Sequence, residues 1–557
     1  MAPPRNDRNS QMPDQLSVET LLHRLNDPAE CVLPVMLDRQ AERIGDRELF
    51  LFDKGPVWTY AQTRMIARGT AAAFEGLGVR RGDRVLVLLE DGPDIVRISL
   101  GLSYIGAVMA PLNPELIGDV LTNLINYADT DLLVTTDKLA ARIPAVDCPK
   151  LRRVVVFGEC PPELFPSRIE VMSGDCLAVS NHSPAPAIPP IAPWDVHTLF
   201  FTSGTTGVSK AVESTHMHCG TMSIDGLHLL TESDRFAIPC SYFHIGGAFV
   251  PWGIIHRGAS VVIVGKFSAS RFWQQVIEHR ITATLLIGVM CDFLLSRPPS
   301  PEDKAHPLRF AIVQPLPRNA GEFSKRFGVQ IFTQFDQTET PPAIISEPID
   351  HDSMPPLGYC GRLRDGFEAR IMDANDCEVA SGVSGELALR CVAPWVIATG
   401  YFQKPLESAR AWRNGWFHTG DIFKKDTEGR YFFVDRSKDV IRRRGENISS
   451  FDVESALVAH LDVEACAAFG VASELSEDEV MVVVQLREGA RTSPKDLVRH
   501  MQGSVPEFMV PRYLRILPEL PRSATDKVKK DDLRCQGVTS DTWDRDKAMP
   551  GRRRSVS

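Results

Sequence analysis

The stretch Phe200-Phe201-Thr202-Ser203-Gly204-Thr205-Thr206-Gly207-Val208-Ser209-Lys210 decides how this chain is read. It follows the short apolar approach Thr198-Leu199 and gathers hydroxyls, glycines and a lysine into one turn. Such a turn is an anion cradle. Glycine lets backbone N–H groups face phosphate oxygens, Ser and Thr hydroxyls donate, and the lysine supplies charge. The G-x-x-x-x-G-K spacing of a Walker A loop is absent, so the cradle is of another kind. A surface loop rich in Ser, Thr and Gly is the plain alternative.

Working outward, the flanks alternate strands and helices. Arg84-Val85-Leu86-Val87-Leu88-Leu89 and Asp131-Leu132-Leu133-Val134-Thr135 read as buried strands bounded by turn residues. Beyond the cradle, strands are expected at 259–264, 281–287, 308–313 and 329–332, with helices at 269–280 and 319–327. This alternation predicts an α/β fold with a largely parallel sheet and helices packed on it. Residues 181–193 are Pro-rich and read as a linker between two lobes. Beyond about Arg436 the pattern restarts in miniature, with helices at 452–460 and 494–501 and strands near 464–470 and 480–486. The expected organisation is a disordered tail (1–17), a large N-terminal domain of layered α/β sheets (18–436), a small α+β C-terminal domain (437–535) and a second disordered tail (536–557).

A chain of 557 residues exceeds a single compact core. Its 62 Lys and Arg against 71 Asp and Glu leave a net charge of −9, which argues against a nucleic-acid partner. It does not exclude a locally positive site for small anions. The 12 cysteines are scattered without a C-x-x-C pair and read as reduced thiols in a cytoplasmic setting. No apolar secretory segment opens the chain. The longest apolar stretch, 98–112, is interrupted by Ser103, Tyr104 and Pro111 and falls short of the ~18 residues of a membrane span. The last residues, Ser555-Val556-Ser557, are not the peroxisomal S-K-L address.

Further segments follow the cradle in order: Phe335-Asp336-Gln337-Thr338-Glu339, Trp416-Phe417-His418-Thr419-Gly420-Asp421, Asp435-Arg436-Ser437-Lys438-Asp439, Arg444-Gly445-Glu446-Asn447-Ile448 and Leu520-Pro521-Arg522-Ser523-Ala524-Thr525-Asp526-Lys527. Together they resemble the adenylate-forming superfamily of acyl-CoA synthetases, aryl-CoA ligases, luciferases and peptide-synthetase adenylation domains, over about residues 18–535. Arg271-Phe272-Trp273, Pro298-Pro299-Ser300-Pro301 and 443–449 are most similar to the carnitine/crotonobetaine-CoA ligase-like branch.

The resemblance implies an AMP-forming acid–thiol ligase that uses ATP, Mg2+ and coenzyme A. A carboxylate attacks the α-phosphate of ATP, pyrophosphate leaves, and the acyl group of the adenylate passes to a thiol. Two anions must meet, so cations, N–H donors and magnesium are wanted. It implies that Thr202, Ser203, Gly204, Thr205, Thr206, Gly207 and Lys210 cradle phosphate, and that Glu339 with Thr202 holds the metal. Thr338 would contact the α-phosphate, Phe335 would stack on adenine, and Asp421 with Arg436 would take the ribose. Lys527 would reach in from the small, mobile domain, Lys438 would be the hinge pivot, and Gly445 with Glu446 would line the route for coenzyme A. His244, in Ser241-Tyr242-Phe243-His244-Ile245-Gly246-Gly247, resembles the residue that gates the acyl pocket; a packing histidine is the equal alternative. Asp421 alone would read as a turn residue, and Lys527, beside Lys529 and Lys530, as a solvated charge.

Three positions depart from the pattern. A small-residue loop reads Val313-Gln314-Pro315-Leu316-Pro317 here, and Asp336 and Asp526 replace glycines. An added carboxylate near an anionic ligand is costly unless paired. These departures point to a small or polar acid. Other readings stay open: an amine, a carrier thiol or an oxyacid such as nitrite in place of the usual partners, a non-catalytic nucleotide-binding homologue, or remotely a light-emitting oxygenase. No nucleic-acid partner and no stable membrane insertion are expected, and a homodimer stays open.

Overall fold

The structure is a computed structural model that describes residues 17–143, 148–178, 190–202, 210–238, 240–436, 440–443, 446–473, 477–521 and 528–549. Two seven-stranded, mainly parallel sheets and one seven-stranded antiparallel sheet make up the large part of the chain.

The first sheet runs Glu170–Ser173, Arg153–Phe157, Leu132–Thr136, Arg84–Leu88, Val108–Pro111, Val196–Thr202, Lys210–Thr215. Its strands are parallel until the last pair, which is an antiparallel hairpin. The central strands are apolar on both faces, as a parallel sheet covered by helices requires; Val85, Leu86, Val87 and Leu88 are all fully buried. The helix Tyr60–Gly76 opens with a capping box between Thr59 and Gln62 and packs on Pro93–Ile105. Gly101 sits at that crossing, where a Cβ would stand 2.7 Å from the Thr70 methyl. The apolar stretch 98–112 is thus a core helix and a central strand. No helix among the described residues is long and apolar enough to cross a membrane.

The second sheet runs Gln330–Phe332, Phe310–Val313, Ala283–Leu286, Arg235–Ile238, Ser260–Ile263, Glu48–Phe52, Val57–Thr59, parallel except for the last pair. The third sheet departs from the parallel expectation: Gln334–Gln337, Thr340–Ile345, Tyr359–Leu363, Arg430–Arg436, Phe417–Lys425, Gly385–Cys391 and Phe367–Met372 are antiparallel throughout. Most of its pairings join sequence neighbours; the exception is that of Tyr359–Leu363 with Arg430–Arg436 rather than with Phe367–Met372. A buried ion triad ties the N-terminal helix and the helix His216–Gly226 to this sheet: Arg24 and Arg364 each lie 2.9 Å from the Asp225 carboxylate. Burial alone would raise the Asp225 carboxyl; the two guanidinium groups hold it below its ordinary range.

The smaller part begins with the hairpin Val440–Arg443 and Glu446–Ser449 and a four-stranded sheet, Val463–Ala472, Asp478–Leu486, Tyr513–Leu517, Trp543–Asp544. The helix Pro494–Gln502, capped by Ser493 and Asp496, covers it with Ser450–Val458. The tail expectation for 536–557 needs correction over 536–549. Trp543 pairs with Leu514 as an edge strand and packs on the small core, and the helix Arg545–Ala548 follows. Its polar composition reflects an edge position rather than disorder. The linker read at 181–193 lies outside the described residues up to 189.

Candidate active site

The cradle is held by the hairpin of the first sheet. Thr202 and Lys210 face each other in its register, and the Thr202 hydroxyl donates to the Lys210 carbonyl at 3.4 Å. Ser203, Gly204, Thr205, Thr206 and Gly207 lie between them, outside the described residues, as do Lys438, Gly445 and Lys527. The Lys210 ammonium stands over the Tyr401 ring at 4.5 Å.

Tyr401 belongs to a segment laid along the hairpin: Glu213 N–H donates to the Gly400 carbonyl and Phe402 N–H to the Ala211 carbonyl. The Tyr401 hydroxyl donates to Glu339 Oε1 at 2.8 Å, and Ala398 N–H donates to the Glu339 carbonyl. Burial raises the Glu339 carboxyl; the Tyr401 hydrogen bond and the Lys210 charge work against that, and Asp421 adds to it. Lys210, Tyr401, Glu339 and Asp421 thus share one neighbourhood. Sequence reasoning missed Tyr401, since a lone tyrosine after an apolar run reads as packing.

The edge hairpin of the third sheet carries the next group. Alternation along Gln334–Gln337 turns Phe335 inward, 8% exposed and edge-on to Phe423 at 4.7 Å, while Asp336 stays half-buried on the opposite side. Little of the Phe335 ring is left to meet a ligand. Thr338 and Glu339 occupy the turn and are half-buried. Gln337 Nε2 donates to Asp421 Oδ2 at 2.7 Å and to the Thr419 carbonyl at 3.0 Å. Asp421 is 3% exposed and pairs with Arg436 in the backbone register. Gly420 adopts φ +72°, so the Thr-Gly-Asp string is a glycine-dependent kink that turns the carboxylate toward Gln337.

A third group joins the large and small parts. His244 Nε2 lies 3.0 Å from Glu446 Oε2, so Glu446 is brought to the His244 side of the cleft. Close packing would lower the His244 pKa; the carboxylates of Glu446 and Asp91 more than offset that and raise it. Asp91 accepts from Tyr242 N–H at 2.7 Å. Beside them desolvation and the Asp91 carboxylate push the half-buried Cys240 thiol up to about 12.

The donor set for a metal is spare: one carboxylate, Glu339, one hydroxyl, Thr202, and no cluster of three or more ligating side chains among the described residues. Hard oxygens in small number fit a cation carried in largely by phosphate.

The AMP-binding enzyme family matches residues 37–402, and the AMP-binding enzyme C-terminal domain matches residues 452–527. A crotonobetaine/carnitine–CoA ligase of Escherichia coli is 30% identical over 492 residues, covering 86% of this chain and 93% of that protein. Among solved structures, an o-succinylbenzoate CoA synthetase from Bacillus subtilis gives a TM-score of 0.77 at 22% identity, covering 90% of this chain and 98% of the other. An amide bond synthetase from Marinactinospora thermotolerans gives 0.76 at 23% identity, with 90% and 99% covered. The chain belongs to the AMP-binding enzymes, as an adenylate-forming, AMP-producing ligase of the acyl-CoA ligase type.

Proposed function

We propose that the protein joins a small or polar carboxylic acid to coenzyme A through an acyl-adenylate. In the first step a carboxylate oxygen attacks the α-phosphorus of ATP and the bond to pyrophosphate breaks. In the second the thiol of coenzyme A attacks the acyl carbon, AMP leaves with the carboxylate oxygen, and the thiol proton is lost to base. The observation that carries this reading is the convergence of Lys210, Tyr401, Glu339 and Asp421 at the mouth of the Thr202–Lys210 hairpin.

Each of these residues has a task that its contacts suit. Lys210 brings positive charge to the phosphates beside the cradle of 203–207. Tyr401 fixes the rotamer of Glu339 and leaves Oε2 for a cation. Glu339 and Thr202 are the side chains that would hold magnesium, which when bound offsets the charge developing on the leaving pyrophosphate. Asp421, fixed by Gln337, accepts from the ribose hydroxyls. Thr338 and Lys527 serve the α-phosphate and the acid oxygens, and Arg436 borders the ribose; Phe335, packed on Phe423, backs the adenine side instead of stacking on the base. Glu446, drawn onto His244, lines the route for coenzyme A with Gly445, and Lys438 provides the pivot.

The similarity to crotonobetaine/carnitine–CoA ligases supports coenzyme A as acceptor. The similarity to an amide bond synthetase supports a second reading, in which an amine takes the acyl group from the same adenylate. Mass spectrometry of reactions with ATP, a pooled acid library and either coenzyme A or a pooled amine library separates them. Thioesters with AMP support the first, amides with AMP the second, and no AMP in either rejects both.

A further inference from the structure

The Gln314 and Asp336 departures touch each other. Gln314 Nε2 donates to Asp336 Oδ1 at 3.3 Å and to Oδ2 at 3.2 Å, and Gln334 Nε2 donates to Oδ2 at 3.1 Å. The donors that hydrogen-bond Asp336 are thus neutral amides. Gln314 Oε1 is buried with no hydrogen-bond partner among the described residues. Turning the amide over would press that carbonyl against the carboxylate, so the pair fixes its orientation.

The place of this wall is clear from its neighbours. Asp336 stands three residues before Glu339 on one hairpin. Its partner Gln314 follows the strand Phe310–Val313, and Cys240 to His244 follow Arg235–Ile238, at the same end of one parallel sheet with a single strand between them. It therefore lies between the group at Glu339 and Asp421 and the group at His244. Arg442, from the hairpin that carries Glu446, is the cation whose charge acts on it.

This wall is rich in acceptors. A carboxylate offers about four lone-pair sites, and the two amides address three of them and leave the rest for a ligand donor. An alkyl group packed there leaves acceptors unpaired in a water-poor cleft, which is costly. A hydroxyl or primary ammonium group satisfies them. A trimethylammonium group brings charge but no N–H.

We propose that Asp336, oriented by Gln314 and Gln334, is a specificity-determining residue that selects short acids bearing a hydroxyl or primary ammonium group; the inference rests on the acid-activating reading above. The test measures kcat/KM for ATP-dependent pyrophosphate release by the full chain. The acids are short and carry, at one and the same carbon, hydrogen, hydroxyl, primary ammonium or trimethylammonium. The hydroxyl or ammonium acid is expected to exceed the hydrogen analogue by at least about tenfold. Asp336→Gly brings that ratio to within about twofold. Asp336→Asn, which keeps the shape, costs the ammonium acid more than the hydroxyl acid. A preference for the hydrogen or trimethylammonium acid, or ratios unchanged in both variants, overturns the inference. Pyrophosphate release without donor preference leaves the acid-activating reading standing and overturns this one; no release with any acid sinks both.

Discussion

The two halves of the cleft are built to different standards. Around Glu339 and Asp421 the contacts are short and each has a partner: Tyr401 to Glu339 at 2.8 Å, Gln337 to Asp421 at 2.7 Å. Around Asp336 the amide contacts stretch to 3.1–3.3 Å and a carbonyl is orphaned. The triphosphate and ribose are the same in every turnover, so their binding groups can be set in advance, which costs nothing at the moment of reaction. The acid varies among relatives, and the carboxylate that meets it is held only by longer amide contacts.

That contrast can be broken in several ways. Replacing Glu339 by Gln keeps the shape and removes the charge; pyrophosphate release should fall about a hundred- to a thousandfold, equally for every acid. A loss that depends on the acid would merge the halves. Tyr401→Phe removes one hydrogen bond to a carboxylate and should cost about ten- to a hundredfold, again uniformly. On the acid side, burial raises the Asp336 carboxyl to about 6, with the two glutamines working against it. The carboxylate is present above that value and is protonated as the pH falls through it. Any preference for an ammonium over a hydroxyl acid should therefore fade several-fold as the pH drops through about 6. A flat ratio from pH 5 to 8 would contradict this.

The smallest effect concerns the link between the large and small parts. His244 is raised, so its ion pair with Glu446 is complete below the ordinary histidine pKa of about 6.5 and is lost as the pH rises through the raised value. Glu446→Gln removes the chief cause of the rise. The alkaline limb of thioester formation should then move to lower pH and the rate change only a few-fold, with pyrophosphate release unaffected. An unchanged limb would show that the contact has no role in the second step.

Much of this was legible before the fold. The strands at 84–88 and 132–136 announce themselves by apolar runs, and the cradle by its turn chemistry. The third sheet did not: strands such as Phe417–Lys425 mix buried and half-buried positions, and nothing local says that Gln334–Gln337 pairs with Thr340–Ile345 rather than with a distant parallel partner. Glu339 and Asp421 were found because they stand in distinctive strings. Tyr401 was not, because its role depends on a backbone segment laid along another strand. Gln314 and Asp336 stood out separately as departures, 22 positions apart. Their mutual compensation is a tertiary fact. The tail was misjudged because an edge strand such as Trp543–Asp544 can be polar and still pair.

The central claim is that a carboxylate oxygen of the acid becomes bonded to the α-phosphorus of ATP. It is tested most directly by supplying an acid labelled with oxygen-18 in its carboxyl group, with ATP and coenzyme A, and weighing the nucleotide product. This account predicts AMP carrying a single oxygen-18, because the acyl carbon–oxygen bond breaks when the thiol attacks. Unlabelled AMP, or ADP as the product, would contradict it.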